Sequence, residues 1–250
     1  MSFFVFTYAY IQIVLAKEPV KEDVEAYRAW YQGTLSIMDI ERNRKELLAD
    51  MYRTNRAQEY YDKAEELYKE ILATDEKNWG KNAPIVAEVL CKLADLYRIQ
   101  AKYKQAEEVA KRALAIDEKA LNAIGEEVHI KLAQDLEILS EVYISQGKYS
   151  EAEPLLRRAV TITEKVSEAD HPNIGAALSN LARLYEYQGK YLEAEDFYKR
   201  SLTIFEKTDG ADLYVKATLE RLADIYKKIG KEDEAKNLEE RAKRIHSRNQ

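Results

Sequence analysis

The side chains of this sequence best suited to chemistry are its histidines His129, His171 and His246, its single cysteine Cys91, and a large supply of carboxylates. Histidine serves as a metal ligand or general base only with partners at set spacings, such as one helical turn away on the same face. No histidine here has a second ligand at such a spacing, and His171 stands directly before Pro172. Each is read as structural or surface-exposed. One cysteine cannot make an internal disulfide or a two-cysteine metal or redox motif, so Cys91 is read as a structural residue, buried or lining a groove.

Longer reactive patterns are missing as well. There is no HExxH, GxSxG or GxGxxG, and the Gly-Lys pairs run on to Tyr149, Tyr191 and Glu232 where a phosphate-binding loop needs Ser or Thr. Carboxylate pairs abound, but in so charged a chain most are solvated faces, and none is marked as an acid and its base. The expectation is a non-enzyme with no catalytic residue, no metal and no cofactor. A net charge of −6 speaks against nucleic acid, because phosphate binding needs surplus Lys and Arg on one face.

The elements behind these side chains are helical. With 46% hydrophobic and 34% charged residues the composition is that of a foldable soluble chain, and eight Gly and four Pro are too few for the turns of a many-stranded sheet. Aligned with itself, the sequence repeats. Segments beginning at Leu90, Leu136, Leu178 and Leu219 share one pattern, and an earlier copy from Lys45 carries three extra residues in its turn. The alanine opening each second helix marks the phase: Ala64, Ala106, Ala152, Ala194 and Ala235 are 42, 46, 42 and 41 residues apart.

Within a unit, Leu178, Leu181, Ala182 and Tyr185 fall on one helical stripe. Gly147, Gly189 and Gly230 follow the first helices where a left-handed residue ends a helix. Ser150 and Glu153 have the spacing of a capping box, and Pro154 is expected in the opening turn of its helix. Small residues Ala94, Ser140, Ala182 and Ala223 let the paired helices approach, while Tyr97, Tyr143, Tyr185 and Tyr226 are predicted to fill the core beside them.

The ends differ from the middle. Residues 1–16 contain the apolar run Phe3–Ala16, about six residues short of the ~20 a spanning helix needs, and no Lys or Arg precedes it. It reads equally as a signal or anchor and as a packed segment. Residues 17–33 contain a helix, Val20 to Gln32, closed by Gly33 and expected to cover the open end of the stack. The basic cluster Arg241, Lys243, Arg244 and Arg248 reads as a solvated helix end and not a nucleic-acid patch.

These units resemble the tetratricopeptide repeat (TPR), and their period, longer than the usual ~34, is similar to that of the kinesin light chain subtype. The segment His171–Lys207 carries the likeness almost end to end. Pro84 and Pro172 would then open first helices at their first helical position. The resemblance implies an all-α fold, a right-handed α-α superhelical solenoid of TPR helical hairpins, with about five repeats over residues 34–250.

It also implies where a partner would lie. In that family the first helices line the concave groove, which here gives Asn43, Glu46, Asp50, Arg53, Glu88, Lys92, Asp95 and Arg98, then Gln134, Glu137 and Glu141, then Ser179, Asn180, Arg183 and Glu186, and finally Glu220, Arg221, Asp224 and Lys227. Cys91 aligns with the same face. One equivalent position reads Asp50, Asp95, Glu141, Arg183 and Asp224, mostly acidic, so a basic or amphipathic protein or peptide segment is the natural complement. Glu46 and Asp50 stand where chaperone-binding relatives place the first pair of their carboxylate clamp, and only Asn180 remains of the paired asparagines of the light-chain subtype.

The leading functional reading is a non-catalytic interaction scaffold or adaptor. Two others stay open: an exported or membrane-associated assembly factor, with membrane contact through residues 3–16, and the regulatory subunit of an enzyme. The location read from the sequence is cytoplasmic, or exported or membrane-associated if residues 1–16 act as a signal, and the oligomeric state stays open.

Overall fold

The computed structural model describes residues 40–54, 57–124, 129–168 and 170–246. The apolar segment 1–16 and the expected capping helix within 17–33 lie outside them. Ten α-helices and no strand occur among the described residues: α1 Ile40–Thr54, α2 Gln58–Trp79, α3 Pro84–Ile99, α4 Tyr103–Ile124, α5 His129–Ser145, α6 Tyr149–Val166, α7 Pro172–Tyr187, α8 Tyr191–Lys207, α9 Asp212–Lys228 and α10 Glu232–His246. The chain divides into two compact units, Met1–Gln146 with α1 to α5 and Gly147–Gln250 with α6 to α10. The boundary falls in the turn of the third repeat. None of the described helices is long and apolar enough to cross a membrane.

In unit 1 each helix packs on the next along the chain, and α5 also touches α3. In unit 2 the succession α6, α7, α8, α9, α10 packs the same way. The five phase-marking alanines are all completely buried, and their first-helix counterparts Ala94, Ser140, Ala182 and Ala223 are buried with them. Ala49 of α1 takes the same place in the first repeat, hidden from a fixed-offset alignment by the three extra turn residues. A methyl or hydroxymethyl group at these points lets two helix axes approach closely, and any larger group would have to push them apart.

Several helix ends follow the local rules. Pro84 and Pro172 open α3 and α7, and the His171 ring nitrogen Nδ1 accepts the Asn173 amide at 3.2 Å as the cap of α7. Gly189 adopts φ 72° after α7, and the Lys190 amide then reaches the Tyr185 carbonyl at 2.9 Å, the bond pattern of a left-handed helix stop. After α3 the same bond, Lys102 to Tyr97 at 2.8 Å, forms with Ala101 forced to φ 56°.

The capping box does not form. Lys148 is the cap residue of α6 and makes no side-chain cap bond, the Ser150 hydroxyl turns to Glu151, and Glu153 is taken by Arg157 and Tyr185. Because α6 starts at Tyr149, Pro154 lies inside the helix and beyond its opening turn, where its missing amide leaves the Ser150 carbonyl without its usual helical donor.

The tyrosine column also needs correction. Tyr97 and Tyr185 are buried as expected, but Tyr143 and Tyr226 are only half-buried. Buried or half-buried, three of the four share a polar end: Tyr97, Tyr185 and Tyr226 each direct a hydroxyl to the glutamate that follows a phase-marking alanine. Glu65 of α2 accepts from Tyr97 at 3.2 Å, Lys102 at 2.9 Å and Lys69 at 2.7 Å. Glu153 of α6 accepts from Tyr185 at 2.8 Å and Arg157 at 3.0 Å, and Glu195 of α8 accepts from Tyr226 at 2.8 Å. Each clasp ties a first helix to the second helix before it. Burial pushes these three carboxyls up, but the hydrogen bonds and cations outweigh it and hold them below the ordinary carboxylate range.

Candidate partner-binding face

The residues expected to meet a partner lie on the first helices: α1, α3 and α5 in unit 1, α7 and α9 in unit 2. All are exposed or half-buried except Cys91, which belongs to the apolar cluster of Leu90, Ala113 and Ile116 and is removed from any surface role.

Unit 1 brings its candidates together across helix boundaries. Lys92 of α3 reaches back to Glu46 and Asp50 of α1, at 2.7 Å each. Arg53 of α1 pairs forward with Asp95 of α3, which Arg98 also holds at 2.5 Å. Lys131 of α5 pairs with Glu88 of α3. Asn43 and Gln134 are exposed, while Glu137 and Glu141 are half-buried on α5. From behind, the buried Tyr68 of α2 donates its hydroxyl to Asp50. Burial pushes Asp50 up, but the bonds from Lys92 and Tyr68 and the charges of Lys92 and Arg53 bring its carboxyl below the ordinary range.

Unit 2 uses the same plan more sparsely. Glu186 of α7 receives the Tyr198 hydroxyl from α8 at 3.3 Å and faces Lys228 at 3.3 Å and Arg221 at 3.9 Å, both on α9. Arg183 donates to Asn180 at 3.3 Å. The Ser179 hydroxyl is engaged by Ser201 of α8 at 2.7 Å, and Ser201 in turn donates to the Gly175 carbonyl. Glu220 lies 3.9 Å from Lys216, Lys227 pairs with Glu239 of α10, and Asp224 is exposed.

Sequence reasoning overlooked Tyr68, Tyr198, Lys131 and Lys228. The two tyrosines had a signal: each stands four residues after a phase-marking alanine, on the helix side facing its own first helix. The two lysines had none, because their partners lie 42 and 43 residues earlier in the chain and only packing brings them within reach. At the C-terminal end, Arg241 pairs with Glu206 and Arg244 donates to the Glu240 carbonyl, while Arg248 lies outside the described residues. Among the described residues no three His, Cys, Asp or Glu side chains are grouped so that they could hold a metal ion.

Solved structures with this fold include nearly identical TPR-like repeats from a Podosopora anserina protein assigned as a kinesin light chain, 26% identical, covering 83% of this chain and 96% of that one, TM-score 0.66. BtubC (BKLC) from P. vanneervenii is 22% identical over 99% of this chain and 92% of that one, TM-score 0.70. A Rap protein complexed with Competence and Sporulation Factor is 21% identical over 99% of this chain and 67% of that one, TM-score 0.67. No curated protein matches the sequence. The tetratricopeptide repeat family itself matches residues 46–119, 135–207 and 188–248. Repeated hairpins, buried alanines at every phase position and that match together make this chain a member of the tetratricopeptide repeat family.

Proposed function

We propose that the protein is a non-catalytic interaction scaffold that holds a segment of another protein on the first-helix face of its repeats. The observation that carries this reading is the joining of consecutive first helices by their own polar side chains, Lys92 with Glu46 and Asp50 in unit 1 and Glu186 with Arg221 and Lys228 in unit 2. Within each unit those side chains form one continuous polar surface, supported from behind by Tyr68 or Tyr198. A Rap protein of the same fold is solved with a bound factor, which is in keeping with the reading.

Charge favours a basic or amphipathic segment. The candidate face of unit 1 holds six carboxylates against three cations, while that of unit 2 holds three of each. The ion pairs around Lys92 and Arg53 offset part of the first surplus, and α5 contributes two half-buried carboxylates to the same face, Glu137 and Glu141. The test selects binders from a random peptide library. Wild-type protein should enrich Lys- and Arg-containing segments, and Glu137→Lys/Glu141→Lys should bind them at least ~10-fold more weakly, a loss of about 1.4 kcal/mol. A control reversing Glu66 and Glu108 on the second helices should bind as wild type. Equal affinity of all three proteins would remove the first-helix reading.

A further inference from the structure

We propose that unit 1 carries a protonation-gated seam: Asp117 of α4 and Asp135 of α5 share one proton while the two helices are packed, and loss of that proton loosens them. Both carboxyls are almost completely buried, Asp117 at 3% exposure and Asp135 at 5%. They face each other within hydrogen-bonding reach across the α4–α5 contact.

The groups around them leave a proton as the missing partner. Asp135 Oδ1 accepts the Cys91 thiol of α3 at 2.9 Å, while Asp117 Oδ1 and Asp135 Oδ2 are buried without a donor. The charged groups that also act on the pair are Lys131 of α5 and Glu88 of α3, and these are paired with each other. Cys91 brings no charge, since burial first and then the nearby carboxylates push its thiol well above the ordinary range. Two adjacent anions in so dry a place repel each other with no solvent to screen them, whereas one proton between them supplies a donor and halves the charge. Burial is the main reason that both groups hold protons above the ordinary carboxylate range, and the charge of Asp135 adds to it for Asp117.

The same repeat position shows the alternative. Eleven residues after Ala64 stands Asp75, and eleven after Ala106 stands Asp117. Asp75 is equally buried, but Arg42 of α1 donates to both its oxygens, at 3.2 and 3.0 Å. A cation neutralises the first acid, and for the second a proton does that work.

The direction with pH follows. The folded pair binds its proton more tightly than the unfolded chain does, so its stabilisation is complete below the ordinary carboxylate range and is lost as pH rises toward about 8, where burial places Asp117. Since α5 also carries Gln134, Glu137 and Glu141, an opened seam would disturb the face proposed above. That consequence rests on the binding reading; the seam does not.

The experiment measures the unfolding midpoint of the full chain from pH 5 to pH 8.5 for wild type, Asp117→Asn and Asp135→Asn. Wild type should lose about 5 °C across that range. Asp117→Asn, which keeps a donor in place at every pH, should lose less than half as much, and so should Asp135→Asn. Parallel profiles for all three proteins would overturn the proposal. Should neither variant fold, amide exchange in wild type decides. Protection of α4 and α5 amides, taken relative to α7 and α8, should drop at least about tenfold between pH 6 and pH 8.5, and a constant ratio would overturn the proposal.

Discussion

In unit 1 the position eleven residues beyond the phase-marking alanine holds Asp75 and Asp117, and in unit 2 it holds Thr163 and Phe205. All four side chains are buried. Unit 1 must therefore neutralise what it buries, with Arg42 for one acid and a shared proton for the other, whereas unit 2 closes the same place by shape. The Thr163 hydroxyl bonds the Ala159 carbonyl of its own helix at 2.8 Å, and the Phe205 ring lies flat against Tyr214, with centroids 5.1 Å apart, and over Gly175. One backbone hairpin accommodates either solution. Buried charge ties a unit's stability to pH, while a packed ring ties it to volume.

What the units share should be tested first. Truncating Tyr97 in unit 1 or Tyr185 in unit 2 to alanine removes a buried ring and the donor to a clasping glutamate, and each change should cost about 3–5 kcal/mol in urea unfolding. Similar losses would establish the clasp as common to both halves. A loss below about 1 kcal/mol at either site would break the equivalence.

A smaller effect is specific to unit 2. A β-carbon at Gly175 would come within 2.9 Å of the Phe205 ring. Gly175→Ala should therefore destabilise by about 1–3 kcal/mol through overpacking, against the usual gain when alanine replaces a helical glycine. In the second repeat, within unit 1, the matching position is already alanine, Ala87, and the residue matching Phe205 is Asp117. A neutral or stabilising Gly175→Ala would sink the claim that shape closes this site in unit 2.

The smallest effect belongs to the turns. Ala101 holds the left-handed conformation that Gly189 holds in the equivalent turn of unit 2. Ala101→Gly should raise stability by roughly 0.5–1 kcal/mol, the steric relief exceeding the added freedom of the unfolded chain. A lowered melting midpoint would mean that the turn of α3 is not the equivalent of the turn of α7.

Much of the architecture was legible because it is written in short-range rules. Pro84 and Pro172 mark helix starts, Gly189 and Gly230 mark stops, and the alanine spacing marks the hairpins. Where local signals competed, they misled: Ser150 and Glu153 have the spacing of a cap, yet Glu153 is drawn to Tyr185, 32 residues ahead. The first-helix face was legible as a set of positions through the resemblance. Its internal pairing was not, since Lys92 and Asp50 lie 42 residues apart and no local pattern encodes their meeting.

By itself the sequence determined the repeating helical hairpin, its phase and the family to which it belongs, because helix periodicity, turn residues and small-residue spacing act over a few residues and recur. The tertiary structure alone decided which charges neutralise one another, that Asp117 and Asp135 face each other without a cation between them, and that the Phe205 ring lies against Gly175. Those outcomes depend on how one helix lies against another, and the energy of a buried group is set by the neighbours packing gives it, however ordinary its position in the chain.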